Sequence, residues 1–355
     1  MLRVSVVVVT WNGRALLERF LPSVLATEYP HVEVVVADNA STDGTAEWLA
    51  EAHPGVAVVR HAENLLFAGG NNAAVPHTTG DLVCFLNNDV EVPPNWLGPL
   101  VAAFGDQGVV AVQPKLLQHG DRGRFEYAGA SGGFLDRDGI PFTRGRLFDT
   151  LEADTGQYDD ARDVFWATGA ALVVRRDAFV AVGGFDEAFG MHMEEIDLCW
   201  RLQRLGASPG GPAGGRVRVE PASRVFHLGG ASLPRGPRKT YLNYRNGLAM
   251  LVKNLPPVRL AGVLRRRVVL DAAAAARALA SGHTDEARAV ARAWRDFRRL
   301  APALPRPAPG ERPVLPSYRG SVVADYFVRG KTRFSELTAW GEESLERGVW
   351  RGNAV

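Results

Sequence analysis

The stretch from Val83 to Val92 reads VCFLNNDVEV, and its pattern decides the fold class. Its apolar beginning is long enough for one buried strand, and the two prolines that follow stop further strand pairing. The strand ends in Asn87, Asn88 and Asp89. Polar groups at the carboxyl end of a buried strand lie where open α/β sheets bind ligands. The stretch therefore predicts an α/β fold with a ligand site at this strand end.

Asp89 is the residue of this stretch that suits a metal ion. Mg²⁺ and Mn²⁺ take oxygen ligands and usually reach a protein through one or two carboxylates plus substrate phosphates. The alternative is a strand followed by an ordinary turn, because Asn and Asp are common turn residues. The stretch alone leaves both interpretations open.

The composition is that of a globular protein with one basic segment. The chain has 355 residues, 46% hydrophobic and 23% charged, which suits one large domain plus an appendage or two domains. It contains no run of 18 apolar residues and no signal-peptide pattern, so we expect a cytoplasmic protein. The net charge is +2, yet ten arginines stand against four acidic residues between Arg259 and Arg299. This segment favours an anionic partner.

Two strand-like runs near the start predict a βαβ unit. Arg3–Thr10 and Val32–Ala37 are apolar and enclose a helical pattern. Thr10 ends the first run, and Asp38 and Asn39 follow the second. Because carboxyl ends of parallel strands meet at one edge of the sheet, these polar residues should lie near Asp89.

A glycine- and asparagine-rich run, Asn64–Asn72, reads NLLFAGGNN and precedes a predicted helix. Glycines there allow close approach to a ligand, and a helix N-terminus favours anions. The chain has neither the G-x-G-x-x-G dinucleotide fingerprint after its first strand nor a P-loop. In the loop after the second strand-like run, helix capping by Ser41 or Asp43 is an alternative to ligand binding.

The second half of the chain carries further acids and a histidine. Val164–Arg175 predicts one strand, while Leu116–Asp163 is irregular and suits hairpins or a long loop. Glu194, Glu195 and Asp197 open a helix with a buried face. Acids in a first turn also stabilise a helix through its dipole, which is the structural alternative to a catalytic role. His227 follows two short strands, where a hydrogen-bonded polar residue is the alternative to a metal ligand.

Helices dominate after residue 232. The helix over Asp285–Leu300 places Arg288, Arg292, Arg295 and Arg299 on one stripe. Such a helix suits an anionic membrane surface, so attachment to the inner face of the cell membrane is one expectation. The alternative is a helix packed on its own domain with a solvated arginine face. We divide the chain into a catalytic domain over 1–232, a helical region over 233–301, and a proline-rich linker and tail over 302–355.

Read together, the motifs resemble a known enzyme family. They are, in chain order, VSVVVVTWNG, VVVADNASTDGT, ENLLFAGGNN, FLNNDV, GAALVVRR, GGFDEAFGMHMEEIDLCWRL and VFHLGGAS. This series closely resembles the family-two glycosyltransferases of GT-A fold, and among them the bacterial rhamnosyl- and galactofuranosyltransferases. The resemblance covers about residues 2 to 255. It implies an α/β GT-A sandwich, related to the Rossmann fold, with a C-terminal helical appendage.

The resemblance also implies an activity and its cofactor. An enzyme of this kind is an inverting hexosyltransferase that moves a rhamnose-like or galactofuranose-like sugar from a UDP- or dTDP-sugar. The acceptor is a lipid-linked or polysaccharide glycan of the cell surface, and Mg²⁺ or Mn²⁺ is the cofactor. We expect no nucleic-acid partner.

By the same resemblance, specific residues take specific roles. The donor-binding residues are Thr10, Asp38, Asn39, Asn64, Asn71, Asn87 and Asn88. Asp89 is the metal-binding carboxylate of the DxD-like motif, and His227 is a further metal ligand. Glu194 and Glu195 match the Glu-Asp motif in which the second acid is the catalytic base.

Three residues depart from the pattern of the family. Asn87 replaces the first acid of the DxD motif, which lowers the charge at the metal site. Leu66 replaces a usual glycine, so we expect a different loop shape there. Glu195 replaces the usual aspartate and is one methylene longer.

Two alternative functions remain open from the sequence. A sugar-phosphate nucleotidyltransferase shares a similar α/β half but should carry a glycine-rich basic loop after its first strand, whereas this chain has TWNGRALLE. A catalytically inactive member would bind nucleotide or glycan without turnover. The presence of Asp89, Glu195 and His227 favours the active enzyme.

Overall fold

The computed structural model describes residues 1–207, 215–229, 236–308 and 313–341. These residues form two sheets. The larger sheet has nine strands, and the smaller has four. In chain order the strands are β1 (Val4–Thr10), β2 (Val32–Asp38), β3 (Ala57–Arg60), β4 (Leu82–Asn87), β5 (Val90–Glu91), β6 (Val109–Gln118), β7 (Gly133–Leu135), β8 (Pro141–Thr143), β9 (Arg146–Leu147), β10 (Thr150–Leu151), β11 (Arg162–Val164), β12 (Ala171–Arg175) and β13 (Arg216–His227). The smaller sheet consists of β7 to β10.

The helices of the described chain cover and extend these sheets. They are α1 (Arg14–Leu25), α2 (Thr45–Ala52), α3 (Leu66–Ala74), α4 (Leu97–Ala103), α5 (Arg176–Ala181), α6 (Glu194–Ala207), α7 (Pro237–Asn254), α8 (Pro257–Ala280), α9 (Thr284–Leu300) and α10 (Val322–Phe327). The predicted early strands and helices are thus confirmed to within a few residues.

The large sheet is mixed and has the order β11-β13-β6-β12-β4-β1-β2-β3, with β5 paired to β13. Its β4-β1-β2-β3 part is parallel, whereas β12 runs antiparallel to β4 and β6. The parallel register sets Thr10 beside Asp38 and Val9 beside Asn87. The polar residues that follow β1, β2 and β4 therefore meet at one edge, as the sequence predicts.

The side chains of β1 are buried on both faces of the sheet, which explains why its sequence is apolar almost throughout. Val6 and Val8 pack in one hydrophobic cluster with Leu17 of α1, while Val7 packs in a second cluster with Ala68 of α3. A central parallel strand covered by helices on both faces has no exposed side, so it carries no alternating polar residues.

Two strand predictions were wrong. Val164–Arg175 is not one strand: it contains the end of β11, a turn, and β12. Thr168 makes the turn, since its backbone N–H donates to Gln113 Oε1 at 2.9 Å and its Oγ1 accepts from Ala170 at 3.2 Å. Conversely, the two short strands expected before His227 form the single strand β13, which is irregular between Glu220 and Arg224.

The irregular region over 116–163 contains hairpins. β7 to β10 pair antiparallel in chain order. The described part of the C-terminal tail packs on this small sheet: Phe334 and Trp340 lie against Phe134, with ring centroids 5.4 and 5.2 Å away. Residues 317–341 thus complete a hydrophobic core.

The C-terminal helices are joined to the catalytic half by buried polar contacts. Lys253 of α7 donates to Asp197 of α6 at 2.9 Å, and both side chains are buried. The proposed boundary at residue 232 lies outside the described residues, as do 309–312 and 342–355 of the predicted linker and tail. The division into three parts stays a prediction.

α9 packs on its own domain through an apolar face. Val290, Ala293 and Phe297 are buried, whereas Arg288 and Arg299 are 78% and 76% exposed. The described structure therefore matches the alternative in which the arginine face is solvated. No helix in the described ranges is both long and apolar enough to cross a membrane.

Candidate active site

A cavity of about 880 Å³ opens at the carboxyl edge of the large sheet. Nine of the predicted site residues line it. They are Thr10, Asn39, Asn64, Asn87, Asn88, Asp89, Glu194, Glu195 and His227.

The ends of β1 and β4 are tied together by their side chains. Asn88 Nδ2 donates to Thr10 Oγ1 at 3.0 Å. A Cβ atom at Gly13 would lie 2.2 Å from Thr10 Oγ1 and 2.6 Å from Asn88 Nδ2. Gly13 is therefore the residue that leaves room for this hydrogen bond and keeps the cavity floor open.

Two predicted donor-binding residues do not line the cavity. Asp38 is fully buried and its Oδ1 accepts from the Ser41 backbone at 3.0 Å. Asn71 is also buried and donates to Phe67 O within its own helix at 3.0 Å. Both side chains shape the backbone around the cavity, and contact of either with a donor stays a prediction.

The loop at Leu66 keeps a glycine-like conformation. Leu66 has φ of 59° in the left-handed region, which costs a non-glycine residue about 1–2 kcal/mol. Hydrogen bonds hold it there: its N–H donates to Asn64 Oδ1 and its carbonyl accepts from Asn39 Nδ2, both at 2.9 Å. Asn39 and Asn64 thus fix the loop that borders the cavity.

Asp89 and His227 meet because β5 pairs with β13. His227 lies opposite Val90 in this pairing, and its Nε2 is 3.0 Å from Asp89 Oδ1. Asn87 Nδ2 lies 3.4 Å from the same Nε2. On the other side of the ring, Nδ1 lies 3.3 Å from Glu126 Oε2, an ion-pair distance without hydrogen-bond geometry.

Two carboxylates beside the buried His227 determine its charge. Burial lowers the pKa of His227, but the carboxylates of Asp89 and Glu126 outweigh it and raise the pKa to about 10. The imidazole thus carries a proton between two carboxylates in the protein alone.

This cluster fits a divalent cation held jointly with a substrate. One carboxylate and one imidazole nitrogen converge on the cavity, and Mg²⁺ or Mn²⁺ commonly takes its other ligands from phosphates and water. Glu126 stands where a carboxylate orients a metal-ligating histidine. Within the described ranges no group of three or more His, Cys, Asp or Glu side chains is arranged to hold a metal ion.

Glu194 and Glu195 form the acidic pair of the cavity. Burial raises the pKa of Glu195 to about 7. For Glu194, burial and then the charge of Glu195 raise the pKa well above its ordinary value. Each has a buried Oε2 without a hydrogen-bond partner. The two acids titrate as an interacting pair, and both carboxyl groups hold a proton more tightly than an exposed glutamate does.

The turn before these acids has unusual backbone conformation. His192 and Met193 have φ of 69° and 74°, both in the left-handed region. Asn246 of α7 lies against this turn, with Nδ2 at 3.0, 3.0 and 2.8 Å from the carbonyls of Phe189, Met191 and His192. The amide of Asn246 therefore holds the segment that positions Glu194.

Asp197 is a structural acid. It is fully buried, and its oxygens accept from Arg201 at 2.7 Å, Lys253 at 2.9 Å and Asn254 at 2.8 Å. Asp197 thus has a structural role, the alternative to a catalytic one. It stabilises the fold through these side-chain contacts rather than through the helix dipole.

Comparison with known proteins places the chain in a family. The model of glycosyl transferase family 2 matches residues 5–178. An N-acetylglucosaminyl-diphospho-decaprenol L-rhamnosyltransferase of Mycobacterium tuberculosis is 31% identical over 249 residues, which cover 65% of this chain and 78% of that protein. The chain belongs to glycosyltransferase family 2. The family named from the sequence motifs is confirmed.

Other relatives of this family 2 chain are longer proteins. An O-antigen biosynthesis protein, RfbC, of Myxococcus xanthus is 33% identical over 65% of this chain, which spans only 18% of that protein. A pre-mycofactocin glycosyltransferase of Mycobacterium tuberculosis is 29% identical over 63% of this chain and 42% of its own length.

Solved structures confirm the GT-A fold of this family 2 chain. GalNAc-T7, solved with UDP, GalNAc and Mn²⁺, matches with a TM-score of 0.53 and 19% identity over 71% of this chain and 48% of its own. The mannosyltransferase PcManGT of Pyrobaculum calidifontis, solved with GDP-Man and Mn²⁺, matches with a TM-score of 0.51 and 20% identity, over 85% and 84% of the two chains.

Sequence reasoning missed three residues that line or support the cavity of this family 2 chain. Glu126, the partner of His227, lies in the region that showed no pattern. Trp11 is 57% exposed and lines the cavity, although it follows a buried strand. Asn246 acts through a turn remote in sequence. An exposed tryptophan directly after a buried strand is the one signal that could have been used.

Proposed function

We propose that the protein is an inverting hexosyltransferase that moves a sugar from a nucleotide-diphospho-sugar to a hydroxyl group of a glycan acceptor. One observation carries this proposal: two chemically different clusters line the same cavity. The donor cluster consists of Thr10, Asn88, Asp89 and His227. The acceptor cluster consists of Glu194 and Glu195 with the preceding turn over 189–193.

The acceptor cluster supplies general base chemistry. Glu195, whose pKa burial raises to about 7, takes the proton from the acceptor hydroxyl as this oxygen attacks the anomeric carbon. Glu194 lies beside it, and burial together with the charge of Glu195 raises the pKa of Glu194 well above its ordinary value. One displacement inverts the anomeric centre, and no second carboxylate is needed as leaving-group acid, in contrast to a glycosidase.

The donor cluster suits the nucleotide diphosphate. Asp89 and His227 would hold Mg²⁺ or Mn²⁺, with Asn87 as a neutral neighbour. A cation bound there would supply positive charge for the departing diphosphate. Mn²⁺ and a nucleotide or nucleotide sugar accompany both similar structures. Thr10, Asn39, Asn64 and Asn88 border the base and ribose, whereas Asp38 and Asn71 support them from behind.

The names of relatives support a class of sugar and acceptor. One relative is a rhamnosyltransferase whose acceptor is a diphospho-decaprenol glycan, and another belongs to O-antigen biosynthesis. We assign a rhamnose-like or galactofuranose-like sugar, a UDP- or dTDP-linked donor, and a lipid-linked or polysaccharide acceptor of the cell surface.

Peripheral attachment to the inner face of the cell membrane completes the proposal. The arginines of α9 are exposed and outnumber their acidic neighbours: Arg295 and Arg299 share Asp296 at 3.0 and 3.7 Å. Such exposed pairs contribute little to stability, which leaves these charges available to anionic headgroups.

A donor panel tests the activity. We would incubate the protein with UDP- and dTDP-sugars, with Mn²⁺ or with chelator, and measure released nucleoside diphosphate. Slow metal-dependent hydrolysis of one donor, accelerated by a lipid-linked glycan, is the expected result. Donor binding without any hydrolysis or transfer would indicate the inactive member. Formation of nucleoside triphosphate and sugar phosphate when inorganic diphosphate is added to the donor would indicate a nucleotidyltransferase.

A further inference from the structure

A second cavity of about 670 Å³ lies between the N-terminal part of α7 and α9, and we call it the arginine groove. Its lining residues are mainly cationic and apolar, with one acidic residue among them. They are Pro237, Arg238, Tyr241, Leu242, Asp285, Arg288, Ala289 and Arg292. None of the site residues described above lies in it.

Arg238 lies at the border between the arginine groove and the active-site cavity. This side chain lines both cavities. It is exposed and makes no hydrogen bond or ion pair with any residue of the described ranges. A guanidinium that pairs with no residue in the described part of the chain, at the border of two cavities, can offer its N–H groups to a ligand.

The other arginines at the groove outnumber the acidic residues that pair with them. Asp285 pairs with Arg288 at 2.9 Å. Arg292 lies 3.6 Å from Asp296, the carboxylate that also serves Arg295 and Arg299.

The Tyr241 side chain holds Arg292 at the groove wall. The Arg292 guanidinium lies 4.9 Å from the centroid of the Tyr241 ring, and the Tyr241 hydroxyl donates to Asp296 at 3.1 Å. The cation–π contact keeps one arginine at the groove wall while leaving its N–H groups for an anion.

We propose that the arginine groove binds the phosphate or diphosphate group of a lipid-linked acceptor. Guanidinium groups recognise phosphate through paired, charge-assisted hydrogen bonds. The apolar side chains of Pro237, Leu242 and Ala289 beside them suit the first carbons of a lipid chain. Arg238 then connects the anion to the sugar that enters the active-site cavity. The inference rests on the proposed glycosyl transfer only in naming the acceptor.

The first test measures anion binding without turnover. Calorimetry would compare inorganic diphosphate and farnesyl diphosphate, in metal-free buffer with chelator, on the wild type and on the double variant Arg238→Ala/Arg292→Ala. We expect the dissociation constant for farnesyl diphosphate to rise at least about tenfold, because each charged hydrogen bond contributes that much or more. Arg298→Ala, which removes an exposed charge of the same helix outside the groove, should leave it unchanged.

The second test uses the acceptor. With a sugar-diphospho-lipid, the double variant should raise the acceptor KM about tenfold with little change in kcat or in donor KM. With a sugar acceptor that lacks the diphosphate, wild type and variant should behave alike. Equal acceptor KM in both proteins would overturn the proposal, whereas absence of turnover with intact diphosphate binding would contradict the proposed function and leave the groove assignment standing.

Binding to vesicles distinguishes two possible sources of the phosphate group, the lipid-linked acceptor and the membrane headgroups. If the double variant loses binding to phosphatidylglycerol vesicles but keeps its affinity for farnesyl diphosphate, the groove binds membrane headgroups and the acceptor assignment is wrong. If farnesyl diphosphate affinity falls while vesicle binding persists, the assignment holds.

Discussion

The donor cluster and the acceptor cluster are built in different ways. Thr10, Asn88 and Asp89 follow neighbouring parallel strands, and short-range strand geometry brings them together. The acceptor cluster depends on a strained turn that α7 holds from outside, through Asn246. A sheet edge is therefore assembled by local sequence, whereas the position of the base requires a helix that the sequence alone marks as an appendage.

The largest expected effect lies in the acceptor cluster. Glu195→Gln keeps the size of the side chain but removes the proton acceptor, so kcat should fall by about 10²–10⁴-fold. Donor affinity should barely move, because the lost interaction is with the acceptor hydroxyl in the transition state. Transfer rate and donor dissociation constant would be measured for this variant and for Glu194→Gln. If Glu194→Gln loses turnover and Glu195→Gln does not, the base is the first acid.

The pH dependence of the wild type sharpens the same assignment. Glu195 acts as a base only when ionised, and burial raises its pKa to about 7. As pH falls below 7 the ionised fraction falls, so kcat/KM should decline, approaching a tenfold loss per pH unit well below pH 7, and level off above about pH 8. A rate profile that is flat between pH 5 and 8 would contradict Glu195 as the base.

The donor cluster should respond in affinity rather than in chemistry. Loss of a residue that merely supports a metal ligand costs about 10–100-fold in metal affinity. Asp89→Ala should therefore lower Mn²⁺-dependent donor affinity by about 100-fold, to its value in chelator. His227→Ala should have a smaller effect, with unchanged nucleotide affinity in the absence of metal. Calorimetric titration with and without Mn²⁺ checks both, and wild-type turnover by Asp89→Ala would rule out the metal assignment.

Asn246 tests whether α7 belongs to the active site. Asn246→Ala removes the donor that holds the turn at His192, so the acids should be displaced and kcat should fall about tenfold to 100-fold. Donor affinity should change less than about twofold. Asn243→Ala is the matched control, since Asn243 lies on the same helix and its side chain makes no hydrogen bond within the described chain. A variant that loses stability and donor affinity together would indicate a general structural role instead.

Much of the donor cluster could be predicted because its signals are local. VSVVVVT and VCFLNND each combine a buried strand with the polar residues that end it. The small sheet could not be predicted, since its strands are only two or three residues long and carry no period. The break at Thr168 was missed because its cause, a hydrogen bond to Gln113, comes from another strand.

The acids of the acceptor cluster were predicted, but the residues that hold the site in place were not. The acids Glu194 and Glu195 were recognised from a motif, whereas Asn246 and Glu126 act on residues far away in the chain. Contacts of this kind depend on tertiary packing, which periodicity does not encode. The same reason explains why residues 317–341 were predicted as a tail although Phe334 and Trp340 are buried.

The smallest expected effect concerns membrane attachment, which depends on neither cluster. Deleting the C-terminal region from Val258 onward is not a suitable test, because Trp200 Nε1 donates to Val314 O at 2.9 Å and the deletion would uncover the core. Arg299→Ala is milder, since this side chain is 76% exposed and lies 3.7 Å from Asp296. Each arginine near an anionic surface contributes about 1 kcal/mol.

Partitioning to phosphatidylglycerol vesicles, measured by co-sedimentation, should therefore weaken about fivefold in Arg299→Ala at low salt. Arg3→Ala is the charge-matched control, because Arg3 precedes β1 at the opposite end of the strands from the active-site cavity. Binding of the wild type should also decline as salt shortens the screening length from about 10 Å at 0.1 M to about 3 Å at 1 M. If sedimentation is equal in both variants and persists at high salt, the arginine face of α9 is only a solvated surface, and membrane attachment must be sought elsewhere in the molecule.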